Sequence, residues 1–235
     1  MNTSELLGLL ARALTEVEGA DLSPATRLGR ACVAVLGAQG GTVTVAASPG
    51  EQLTITTSGG TSAELGAMQE VLGDGPGHVA IAEDRIVVTP LRPGAVPDDV
   101  FSLFAGGGGD GDEDATWYAV PMRVGGIPVG ALGLYVAGSS LARSLEEAQF
   151  LADAVGTAVL GEADEDGASA RAQVHQATGM AAIQLRLPPP DALAVLRAHA
   201  FAQGATLEAV AHDVVTRRLS FAGTETVESR RSDES

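Results

Sequence analysis

The chain has 235 residues, 45% hydrophobic and 19% charged, with a formal net charge of −16; this is the composition of a soluble protein with one medium domain and one small one. A single cysteine, Cys32, excludes intrachain disulfides and thiolate-rich zinc sites, and no apolar run approaches the ~18–20 residues needed to span a bilayer. Met1–Glu5 carry no basic stretch followed by an apolar core, so no signal peptide is expected and the protein is expected to be cytoplasmic.

The first helix is predicted over 4–17, where Leu6, Leu9, Leu10, Ala13, Leu14 and Val17 recur at three- and four-residue steps. A second begins at Ser23-Pro24, with Ser suited to the cap and Pro to the first turn, and ends after Leu36 in glycines. Cys32 sits in its apolar run and reads as a small buried hydrophobe. The period then changes to two. Residues 42–46 and 52–57 are β-rich runs joined across Ser48-Pro49-Gly50, a hairpin pattern. Helical character returns over 61–72 and stops at Gly73-Asp74-Gly75-Pro76-Gly77, which reads as a tight loop. One helical turn over 78–82 and a strand over 85–89 follow.

Residues 105–114 form a glycine-rich acidic segment, expected to be a flexible surface loop. It carries four acids and lacks the Lys-Ser/Thr ending of a phosphate loop, and its acids do not alternate as in a calcium-binding loop. The strongest strand signals are 117–124 and 129–136, joined by a turn at Gly125-Gly126. A long helix begins at Ser144. Its apolar stripe (Leu145, Ala148, Phe150, Leu151, Ala154, Val155, Ala158, Val159) is expected to mediate dimerisation, and it runs to an acidic break at 162–168. Residues 1–161 are thus predicted to be an α+β domain with a mostly antiparallel sheet flanked by helices.

From Ser169 the pattern is entirely helical. One helix runs to about Leu187 and is stopped by Pro188-Pro189-Pro190, the last of which can open the next; a second spans 191–203 and ends at Gly204, and a third starts at Thr206. The third helix shows an apolar row of Leu207, Val210, Ala211, Val214 and Leu219, and the tail over 222–235 is polar and expected to be disordered. Charge separates the two parts. Residues 1–167 hold 7 Arg and 23 acids, whereas 168–235 hold 7 of each. There is no Lys; that fits a GC-rich coding bias, and a preference for Arg as a phosphate ligand would look the same. The neutral part is where contact with a polyanion would be sought.

The motif Gln176-Ala177-Thr178-Gly179-Met180, followed by Asp191-Ala192, by 196–200 (Leu-Arg-Ala-His-Ala) and by 206–211 (Thr-Leu-Glu-Ala-Val-Ala), resembles the ANTAR family. That resemblance covers 169–221 and implies an all-α three-helix module that binds structured RNA hairpins in transcription antitermination. The preceding part resembles a GAF domain through Leu65-Gly66, residues 73–80 and the run from Ala119 to Tyr135. A GAF domain implies sensing of a small ligand or a protein partner, with Gly75, Gly77 and His78 at a pocket formed by the sheet and the 73–80 region. Two positions depart from the families: Thr178 stands where ANTAR sequences commonly have Lys, and Gly77 where GAF signatures often have Cys.

In the first C-terminal helix, Arg171, His175, Gly179, Ala182 and Arg186 recur at steps of four, four, three and four, placing them on one face. Val174, Ala177, Ala181 and Leu185 lie opposite and are expected in the core. Arg171, His175, Gln176, Thr178, Gly179, Arg186 and Arg197 are the candidate RNA contacts, with Arg supplying the phosphate-reading forks. Gly179 costs about 1 kcal/mol in a helix interior, a hint of close approach by RNA or by a neighbouring helix. Arg217 and Arg218 suit either phosphate contact or the end of a helix dipole. Residues 169–221 hold 5 Arg against 3 acids, so base and shape recognition would carry much of the specificity. No Ser–His–Asp or Cys–His spacing supports catalysis, His78 reads as a surface residue, and neither metal nor cofactor is expected. The leading expectation is a homodimeric antitermination regulator with a GAF sensor. The alternative is a signalling or dimerisation scaffold whose ANTAR-like part no longer binds RNA.

Overall fold

The computed structural model describes residues 3–17, 22–48, 51–58, 60–91, 115–138, 140–162 and 167–221. The chain divides into two compact units, 1–168 and 169–235. The acidic 105–114 segment and the 222–235 tail lie outside the described residues.

In the first unit, α1 (Thr3–Glu16) and α2 (Pro24–Leu36) precede a hairpin of β1 (Gly40–Ser48) and β2 (Glu51–Ser58). The ends of α2 follow local rules. Ser23 caps the start by accepting from Thr26 N–H, Pro24 opens the first turn, and Gly37 closes the helix at φ 71°. Helices α3 (Gly60–Leu72) and α4 (Pro76–Glu83) lead to β3 (Val87–Pro90). A second hairpin, β4 (Thr116–Val124) and β5 (Ile127–Val136), turns at Gly125 and Gly126, whose φ values of 61° and 81° suit a tight hairpin turn. The unit closes with α5 (Leu145–Glu162). Ser144 caps α5 reciprocally: its Oγ accepts from Glu147 N–H at 3.2 Å, while Glu147 Oε2 accepts from Ser144 N–H at 3.0 Å. That backbone bond is the main reason the Glu147 carboxyl titrates below its ordinary value.

The five strands form one antiparallel sheet in the order β2-β1-β5-β4-β3. Strand alternation splits the core in two. Val43, Val45, Val120, Met122, Leu132 and Leu134 point toward α1, α2 and α5; Val87, Trp117 and Ala119 join Leu65 of α3 and Ala80 of α4 on the other side. Part of the apolar stripe assigned to dimerisation is spent here. Ala148, Leu151, Val155 and Val159 are buried in the core, whereas Leu145 and Phe150 of the same stripe are exposed, as is Leu160, so a dimer through α5 would have to use these.

Cys32 is fully buried in the α1–α2–α5 core, its thiol 3.9 Å from the Leu151 carbonyl oxygen. Burial pushes its pKa up from 9.0 to about 12. Thiol reagents near neutral pH should leave Cys32 unmodified until the protein unfolds; labelling of folded protein at the rate of a free thiol would contradict this burial. The sign for stability follows. The fold favours the neutral thiol, so its contribution is full below about pH 9 and is lost as pH climbs toward about 12.

Among the described residues, the second unit holds α6 (Gly167–Leu185), α7 (Pro189–Gln203) and α8 (Leu207–Val215). Its core is Val174, Ala177 and Ala181 of α6, Leu193, Leu196 and Ala200 of α7, and Leu207, Val210, Ala211 and Val214 of α8. Gly204 ends α7 at φ 60°, and Thr206 Oγ1 caps α8 by accepting from Ala209 N–H at 3.1 Å. Several boundaries differ from expectation, among them the end of α6, at Leu185 rather than about Leu187. Helix α6 starts at Gly167, inside the expected acidic break, whose residues 163–166 lie outside the described set. Helix α7 starts at Pro189 rather than Asp191: proline's fixed φ suits the unbonded first turn, so Pro189 and Pro190 both fit, and Pro188 stands at the cap. Helix α8 ends at Val215, leaving Leu219 outside it and half-buried.

Candidate functional site

Two regions gather the candidate residues, one in each unit. In the first unit, the glycine-rich segment is a loop only as far as Gly75. Pro76 occupies the first turn of α4, so Gly77 and His78 are helical rather than part of the loop. The start of α4 is sealed from within: Gln69 of α3 is buried, and its Oε1 accepts from Gly77 N–H at 2.7 Å. Gly75 holds φ 143°, and a Cβ there would come within 2.5 Å of Gln69 Cγ, so this turn needs glycine on both counts. Gly75 and Gly77 are both buried. His78 is half-buried and its two ring nitrogens are shielded from solvent, so it is not the surface residue the sequence suggested.

The α3–α4 side of the sheet also encloses polar side chains that sequence reasoning passed over. Gln69 and Glu70 of α3 are buried, as is Thr89 of β3, which pairs with Trp117. The only signal in the sequence was a Gln-Glu pair within the apolar second half of the helix, and such a pair more often marks a wet face. A crevice with about 10 Å³ of open space, enough for one water, is lined by Gly29, Arg30 and Val33 of α2 together with Gly41 and Val43 of β1. It borders α2, away from α4, and cannot hold an organic ligand.

In the second unit, α6 presents a clear solvent face. His175, Gln176, Gly179, Ile183 and Arg186 are exposed, while Val174, Ala177, Thr178 and Ala181 are buried. Arg171 belongs to the same helix, and its side chain lies outside the described residues. Thr178 requires a correction. It is only 5% exposed and its hydroxyl donates to the Val174 carbonyl at 2.8 Å, so it serves the core and not the outer face. Helical geometry explains this: position 178 stands a turn from 174 and 181, on the inward side. Ile183, 81% exposed, was missed because one apolar residue in the run Met180–Ile183 looks like core.

The ends and middle of α6 run against helix preference. Gly179 is exposed in mid-helix, and a Cβ added there would meet nothing within 4 Å, so no packing inside the module requires glycine. Arg186, just past the last turn, holds φ 56°, the left-handed conformation where glycine is the usual choice. Glycine thus stands where alanine would serve, and arginine where glycine would.

The other cations differ in their surroundings. Arg197 of α7 is half-buried. Arg218 is paired with Asp213 at 2.8 Å on the surface, and Arg217, exposed, holds φ 60° after α8. His212 of α8 reaches Gln173 of α6 at 3.5 Å, and His199 stacks edge-on against Phe221 at 5.6 Å, so these rings tie the module together. Among the described residues no group of three or more His, Cys, Asp or Glu side chains is placed to hold a metal ion, and no helix is long and apolar enough to cross a membrane.

No protein-family model matches the chain, and no curated protein matches it significantly. Solved structures do. The chain is similar to the GAF domain of a phosphoenolpyruvate-protein phosphotransferase from Coxiella burnetii, at 18% identity and a TM-score of 0.47, over 72% of this chain and 99% of that one. The nlh2 GAF domain of A. aeolicus is similar at 12% identity and a TM-score of 0.43, over 68% and 96%. A GAF domain/HD domain protein from Geobacter sulfurreducens is similar at 15% identity and a TM-score of 0.40, over 66% and 96%.

Proposed function

We propose that this protein is an RNA-binding regulator of transcription antitermination, in which a GAF-type sensor unit controls an ANTAR-type three-helix unit. The observation that carries the RNA reading is the outer face of α6. Its two helix-unfavourable choices, Gly179 and Arg186, are both exposed, and a Cβ at position 179 would meet nothing within 4 Å. Residues held against their local preference mark places where something other than folding sets the choice.

The chemistry of that face suits an RNA loop. Gly179 lets a backbone or base approach the helix closely, Arg186 offers a fork to a phosphate, and His175 and Gln176 supply hydrogen bonds to base edges. The module's small positive balance means that shape and base contacts contribute more than bulk charge. Support for the sensor reading is the two-sided antiparallel sheet together with the sequence motifs around 65–80 and 119–135. Its input is a small ligand or a protein partner on the α3–α4 side, and the acting species is a homodimer that doubles the RNA contacts.

Titration of the full chain against short RNA hairpins with small loops, at two salt concentrations, tests this. Binding above that of a scrambled hairpin, weakening as salt rises, is expected. Replacing Arg186 and Arg197 together by Ala should lower affinity about tenfold or more and flatten the salt slope by about two. Equal binding of every hairpin and its scrambled control would sink the proposal.

A further inference from the structure

One strand residue is gripped from both faces of the sheet. Arg123 of β4 donates from Nε to Asp84 Oδ1 at 2.6 Å and from Nη2 to the Asp84 carbonyl oxygen at 3.0 Å. Asp84 is the left-handed residue, φ 50°, that ends α4, so the guanidinium holds both the carboxylate and the C-terminal carbonyl end of that helix. From the opposite side, Asp153 of α5 accepts from the Arg123 backbone N–H at 2.9 Å. That N–H is available because the pairing of β4 with β5 slips between Met122 and Arg123, and such an irregularity leaves a ladder group unpaired. Gln149, one turn earlier on α5, braces the same carboxylate at 2.8 Å and the Pro121 carbonyl at 2.6 Å.

Helix α4 lies on the Trp117 side of the sheet and α5 on the Met122 side. We propose that Asp84, Arg123 and Asp153 form a relay through the sheet that couples the position of α4 to that of α5. An ion pair this exposed adds little stability by itself, so its value lies in what it connects. The chain of contacts is continuous: end of α4, guanidinium, strand backbone at the slip, carboxylate of α5. A shift of α4 pulls on a strand position whose backbone is bonded to α5, and α5 is the element that leads in sequence to the second unit. The relay gives the sensor reading a path to its output and rests on that reading only for its use; the coupling itself can be read without ligand or RNA.

Native-state hydrogen exchange of the full chain, followed by mass spectrometry, provides the test. Arg123→Met cuts the α4 arm and leaves the backbone bond to Asp153 intact; Asp153→Ala cuts the α5 arm and leaves the ion pair intact. Arg123→Met is expected to speed exchange in α5, and Asp153→Ala to speed exchange in the last turn of α4, each by about two- to tenfold, because coupling between sites is reciprocal. The double variant should exceed the larger single effect by little. Effects confined to the helix next to each substitution would overturn the relay, as would a double variant equal to the product of the two. A uniform rise that includes α1 and α2 would overturn it as well, since a relay loosens only the elements it joins.

Discussion

Replacing Gly133 by alanine is expected to destabilise the first unit by about 3 kcal/mol, the upper part of the range for forcing atoms into a packed core. Gly133 lies in β5, opposite Ala119 of β4 and Thr42 of β1. A Cβ there would overlap Trp117 Cζ2 and stand 2.5 Å from Thr42 Oγ1. Neither neighbour can retreat easily. Trp117 is fully buried among Leu65, Ala80 and Ala119, and Thr42 is buried against α3, where its Cγ2 approaches Gly66. Against a typical total stability of about 5–15 kcal/mol, such a loss is severe. Urea unfolding followed by circular dichroism measures it. The double variant with Trp117→Leu should lose less than the sum of the two single losses, because the smaller side chain vacates the space the new methyl needs. A Gly133→Ala variant within 1 kcal/mol of the parent would show that the indole does not rest on this glycine.

Gly179→Ala and Arg186→Gly are expected to stabilise the second unit and weaken RNA binding together. The first removes a mid-helix glycine where a Cβ meets nothing within 4 Å, a gain of about 1 kcal/mol. The second relieves a non-glycine residue at φ 56° and installs the residue that helix ends prefer, a gain of similar size. If the outer face of α6 contacts RNA, each change should cost about tenfold in hairpin affinity, or roughly 1.4 kcal/mol. Opposite signs in the two measurements separate a binding face from an imperfect helix. Thermal unfolding gives one and hairpin titration the other. Gain of stability with unchanged affinity would remove α6 from the interface.

Much of this architecture was legible in the chain because it rests on local chemistry. Ser23, Gly37, Ser144, Gly204 and Thr206 act at helix ends through their own backbone or the next turn, and Gly125-Gly126 imposes its hairpin without outside help. At the proline run the helix begins at Pro189, ahead of the expected 191, because the ring suits an opening turn at Pro189 as it does at Pro190, where the sequence already allowed it. Thr178 misled more seriously. Its neighbourhood in the sequence motif suggested a contact residue, but its place in the helical rotation turns it inward, where it bonds to Val174.

What the sequence determined by itself was the two-part organisation, the order of helices and strands, and the face of α6 that carries Gly179 and Arg186, because periodicity and end-capping are encoded within a few residues. How distant groups use their bonding capacity depends on the packed fold. It sealed the start of α4 with Gln69, buried part of the apolar stripe of α5 in the core while leaving Leu145 and Phe150 exposed, and brought Asp84 and Asp153 to one arginine from opposite sides. Those partners are 8 to 39 residues apart in the chain, and no local pattern announces them. Their pairing follows from burial, which obliges each polar group to find a partner wherever the fold provides one.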